Sequence, residues 1–72
     1  QHFAVFPNPT TTGSWVYVDP SLIGKSYRMS DLLGKVVSEG VIESQYYYID
    51  FPWSKGVYSL EINREALKIL KF

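Results

Sequence analysis

His2 is the single histidine of this 72-residue chain, and no serine–carboxylate pair is placed to build a nucleophilic set around it. The seven carboxylates stand singly. None has the spacing of an acid–base pair, and Asp31 with Asp50 does not make the oxygen cluster that calcium needs. Cysteine is absent, which removes thiol catalysis, Cys-ligated zinc and iron–sulfur chemistry. Phosphate-cradling glycine patterns are missing, and Asn8-Pro9-Thr10 carries proline where a glycosylation acceptor forbids it. The expectation is therefore a non-enzymatic chain with no catalytic residue, no metal and no cofactor. The chemistry left is recognition, and two places supply it. The stretch Lys68-Ile69-Leu70-Lys71-Phe72 alternates cations with apolar groups, as a docking strand does when apolar anchors give grip and lysines set register. Trp15, Tyr17, Tyr46, Tyr48 and Trp53 offer an alternative, an aromatic platform of the kind that stacks on sugars in a carbohydrate-binding or structural accessory module.

The elements that must position these residues are strands. Period-2 alternation and turn residues about every ten positions predict strands over 3–6, 14–18, 25–30, 36–42, 45–51, 57–62 and 66–71. Pro7 and Pro9 end the first, Asp19-Pro20 the second, and Pro52 the fifth. A short 3₁₀ or helical turn is expected at Ser21-Leu22-Ile23, and a hairpin turn at Leu33-Gly34-Lys35. Gly40, inside a strand, marks a bulge or a close backbone approach. Along 66–71, Leu67 and Ile69 share one face while Lys68, Leu70 and Phe72 share the other. Both faces cannot be core: either the strand bulges, or Leu70 and Phe72 are exposed. Seven short strands predict an all-β fold, a seven-stranded immunoglobulin-like antiparallel β-sandwich.

Length and charge narrow the partners. The chain is long enough for one domain over 1–72, and a domain of this size buries only about 60% of its unfolded surface. Two Trp, six Tyr and four Phe stand in for the missing disulfides. Seven cations cancel seven anions without any long block of either sign, so no nucleic-acid partner is expected. No apolar run approaches the ~20 residues of a spanning helix, and an edge-strand homodimer is a hazard of any uncapped sandwich.

Three signatures recur in order: Pro7-Asn8-Pro9 with Gly13, then Asp31-Leu32-Leu33-Gly34-Lys35-Val36-Val37, then Lys55-Gly56-Val57-Tyr58. Followed by the 68–72 tail, they resemble the type A C-terminal sorting domain of the type IX secretion system, found in Bacteroidetes-type bacteria. The match departs at Ser30, where the family carries Tyr or Phe. The resemblance implies a sorting signal that takes an N-terminal cargo domain through the periplasm and across the outer membrane to the cell surface or medium. Its implied partners are the type IX translocon and a sortase-like peptidase, with the cargo then attached to lipopolysaccharide. It further implies that Lys68, Ile69, Leu70, Lys71 and Phe72 are recognised. Pro7, Asn8, Pro9, Gly13, Asp31, Leu33, Gly34, Gly56, Val57 and Tyr58 then form the scaffold. On this reading the chain is a fragment beginning downstream of its parent's signal peptide. Removal of residues 68–72 is expected to block export more completely than it destabilises the fold.

Overall fold

Alternation is what builds the two layers. In the strand Gly13–Val18, Val16 and Val18 point inward and are fully buried, whereas Trp15 and Tyr17 point out. The computed structural model, which describes residues 2–72, contains seven strands, and most of them follow this rule. They are β1 (Phe3–Phe6), β2 (Gly13–Val18), β3 (Ser26–Asp31), β4 (Val36–Val41), β5 (Tyr46–Asp50), β6 (Gly56–Ile62) and β7 (Glu65–Lys71). A 3₁₀ turn at Pro20–Leu22 follows β2, and the Asp19 carboxylate accepts from the Ser21 amide to cap it. All ladder pairings between strands are antiparallel, in a three-stranded sheet β1-β2-β5 and a four-stranded sheet β4-β3-β6-β7. This is the expected sandwich, with the fourth strand beside the third rather than the fifth.

Inward side chains of both sheets make one core. Val16, Val18, Ile49 and Phe51 from one side meet Met29, Tyr58, Leu60, Ile62 and Ile69 from the other. The expected strand bounds hold to within a residue or two, and β7 begins at Glu65 because the β6–β7 turn needs only Asn63 and Arg64, both with positive φ. Gly40 is a close approach and no bulge: a Cβ there would lie 3.0 Å from the Tyr27 ring. The register shift falls instead earlier in the same strand, at Val37, where Met29 pairs with Ser38 and Ser30 with Val36. Gly13 also serves contact rather than backbone angle. Its φ is not positive, but a Cβ would sit 2.3 Å from the Tyr48 hydroxyl and 2.7 Å from the Ile49 carbonyl oxygen.

The third signature is explained by one hydrogen bond. Tyr58 Oη donates to the Ser54 carbonyl at 2.6 Å, closing the corner between β5 and β6, as the tyrosine corner of immunoglobulin-like domains does. Phe51 and Trp53 pack edge-on and tilted around the same ring, at 5.6 and 5.8 Å. Tyr58→Phe keeps the packing and strips one partly buried bond. It is expected to lower unfolding free energy by about 1–2 kcal/mol in urea titration, with an unchanged m-value.

Candidate functional site: the tail strand and its latch

β7 lies at the edge of the four-stranded sheet, and its side chains divide cleanly. Ile69 is fully buried and Leu67 half-buried, because their positions face the opposite sheet. Lys68, Leu70 and Phe72 face solvent, with Leu70 41% and Phe72 68% exposed. The strand runs without a bulge, so of the two arrangements left open by the sequence, exposure is the one adopted. Lys71 alternates inward, and its Nζ donates to the Phe51 carbonyl at 2.6 Å and the Trp53 carbonyl at 3.1 Å. Charge-assisted bonds of this kind tie the end of β7 to the β5–β6 connection. The tail therefore holds two structural residues, Ile69 and Lys71, interleaved with three outward ones.

An edge strand normally offers unpaired main-chain groups to any passing strand. Here the first signature occupies them. Asn8 Nδ2 donates to the Lys68 carbonyl at 2.8 Å, and Asn8 Oδ1 accepts from the Leu70 amide at 3.0 Å. One carboxamide thus reproduces the donor–acceptor pair of a neighbouring strand. Thr10 continues it: its amide donates to the Leu70 carbonyl at 2.8 Å, and its carbonyl accepts from the Phe72 amide at 2.9 Å. The loop that carries Asn8 is itself held from inside. Buried Ser14 donates to the Pro7 carbonyl at 2.8 Å, and the Gly13 amide donates to Thr10 Oγ1 at 3.0 Å. Peptide bonds Phe6-Pro7 and Asn8-Pro9 are both cis. At the start of β7, Glu65 accepts from the His2 amide and pairs with the His2 ring; the amide bond, then the ring, lowers the pKa of this carboxylate.

The second signature is a complete turn. Asp31 Oδ1 accepts from the Leu33 and Lys35 amides, both at 2.9 Å, while the Asp31 carbonyl accepts from Gly34 and its amide donates to the Lys35 carbonyl. Gly34, at φ 85°, takes the left-handed position that closes such three-residue hairpin loops. Leu33 is 94% exposed and contributes nothing to the turn's bonding. Gly56 opens β6 at φ 154°, and Val57, half-buried, pairs with Leu70 on the outer face.

The aromatic residues do collect, but not as the sequence suggested. Trp15, Tyr17, Tyr46 and Tyr48 share the outer face of the three-stranded sheet, joined there by Phe6. Trp53 is not among them; it packs on Phe51 and Tyr58 because the chain turns inward after Pro52. Trp15 stacks on Tyr46 at 4.9 Å and meets Tyr48 edge-on at 5.3 Å, while Tyr17 abuts Tyr46 at 6.0 Å. One pair is stacked and the other contacts are edge-on, and all four rings remain partly open to solvent.

Among the described residues no cluster of His, Cys, Asp or Glu is arranged to hold a metal ion, and no helix is long and apolar enough to cross a membrane. Residues 4–72 match the family model described as the secretion system C-terminal sorting domain. Neither curated proteins nor solved structures give a significant match.

Proposed function

The chain belongs to the secretion-system C-terminal sorting domain family, and from that premise we propose that its β7 edge is the surface that the type IX outer-membrane translocon reads. Domains of this family are non-catalytic sorting signals that act in transit through the periplasm, towards the cell surface or the medium. The finer reading rests on one observation: two apolar side chains, Leu70 and Phe72, stand exposed on a strand whose edge is latched by Asn8 and Thr10. With the Lys68 and Leu70 carbonyls and the Leu70 and Phe72 amides engaged, a partner gains little by adding a strand at these positions. It reads side chains instead, with Leu70 and Phe72 as anchors and Lys68 as the charge beside them.

On this reading Ile69 and Lys71 act by holding the strand, and the three signatures act by building the latch, the turn and the tyrosine corner. A sortase-like peptidase then removes the domain by cutting upstream of Phe3, and the cargo is passed to lipopolysaccharide. The aromatic face supports the three-stranded sheet in this account.

The test is delivery of a fluorescent reporter with a signal peptide at its N-terminus and this chain at its C-terminus. Surface or medium fluorescence is expected in a type IX-competent bacterium and not in a translocon-deficient strain. Periplasmic retention in both strains, with the domain folded, contradicts the proposal.

A further inference from the structure

Leu32 and Leu33 occupy the two central positions of the β3–β4 turn, at 75% and 94% exposure. Asp31 and Gly34 supply all the bonding and backbone geometry that the turn requires, and its central positions accept most residue types. Two adjacent leucines at a hairpin tip gain nothing from folding. Single exposed leucines are ordinary, whereas a contiguous apolar area marks an interaction site.

Strand register shows what accompanies them. Asp31 pairs with Tyr58, and Tyr58 with Ile69, so the turn projects from the same end of the sheet as Leu70 and Phe72. β3 and β7 are separated only by β6, which places the turn and the tail about 10 Å apart. Charge follows the same axis. Lys35, Lys55, Lys68 and Lys71 lie in this half against Asp31 and Asp50, an excess of two positive charges, with Lys71 turned inward on the Phe51 and Trp53 carbonyls. The chain as a whole is neutral, so the other half carries the balancing excess of acid. The molecule is thus polarised, with a basic, apolar end made by the second signature and the tail together.

We propose that this end is a bipartite docking surface, in which the Leu32-Leu33 turn and the Leu70/Phe72 face enter one apolar groove of a protein partner with a carboxylate rim. The proposal rests on the reading of the tail as the recognised element and extends it to a second element. A groove in a protein fits better than a lipid surface because the two apolar elements are set at a fixed spacing, one by the Asp31 turn and the other by the Asn8 latch. The basic flank selects the acidic rim and steers the encounter.

The test uses the reporter with Leu32→Ser and Leu33→Ser combined, alongside Leu70→Asp with Phe72→Asp. Exposed turn positions leave the urea midpoint unchanged, and surface delivery is expected to fall at least tenfold in both variants. A variant of the basic flank, Lys35→Glu in the turn with Lys55→Glu before β6, is expected to reduce delivery several-fold without touching apolar contact. Loss with the tail variant but normal delivery with the turn and basic-flank variants overturns the bipartite surface and leaves the tail reading standing. Normal delivery with both overturns both. Sedimentation with phosphatidylglycerol–phosphatidylcholine vesicles should show no binding. Binding that the leucine substitutions abolish would replace the protein partner with an anionic membrane.

Discussion

Ile69→Ala will remove about half of this domain's stability, while Leu70→Asp, one residue on, will leave most of it in place. Ile69 has no solvent exposure and sits between the two sheets, against Tyr58 on the neighbouring strand. Truncating a buried isoleucine costs about 2–5 kcal/mol through lost transfer energy and the cavity left behind. A chain of this length has roughly 4–11 kcal/mol in total. Leu70 is partly exposed, and the bonds of its main chain to Asn8 and Thr10 do not depend on its side chain. Urea titration of the isolated chain, followed by tryptophan fluorescence, checks both. Removing residues 68–72 as a block loses Ile69, the Lys71 tether and the Asn8 partners at once, so that deletion tests folding as much as export.

Gly13→Val is expected to be the most damaging substitution at a residue that has no side chain of its own. An added Cβ at Gly13 meets the Tyr48 hydroxyl at 2.3 Å and the Ile49 carbonyl oxygen at 2.7 Å. Tyr48 can swing away, but the carbonyl belongs to the β2–β5 pairing, where Gly13 lies opposite Asp50. Relieving the clash means opening the end of that ladder and shifting the loop that carries Asn8 and Thr10. Overpacking of this kind costs typically about 1–3 kcal/mol. The latch adds a second effect: amide exchange at Leu70 and Phe72 should accelerate in the variant even where the core remains folded. Normal exchange at those two amides would show that the β1–β2 loop and the tail are not mechanically coupled.

The strands were legible because each layer of a sandwich imposes its own alternation. Tyr58, Leu60 and Ile62 share one face by their period alone, and the same period puts Leu70 and Phe72 opposite Ile69, but only the bulge-free pairing of the last strand decides that they are exposed. What escaped the sequence depends on contacts between distant positions. Asn8 reads as turn punctuation, yet its amide serves a carbonyl 60 residues away. Lys71 reads as one more exposed cation of the tail, yet its partners are carbonyls of the β5–β6 connection. Gly13 looks like a residue chosen for backbone freedom, and only the position of Tyr48 shows that space is the reason. The charge polarity of the molecule was hidden by a net charge of zero. It emerges only once strand register shows which lysines share an end.

These parts give the domain a division of labour. Buried residues and the three signatures hold β7 in place, and its outward side chains carry the address. Reporter export with Leu70→Asp and Phe72→Asp combined, measured beside the unfolding curve of the same variant, tests that division most directly. The account predicts a folded domain whose reporter stays in the periplasm. A folded variant delivered to the surface as efficiently as the parent chain would contradict it.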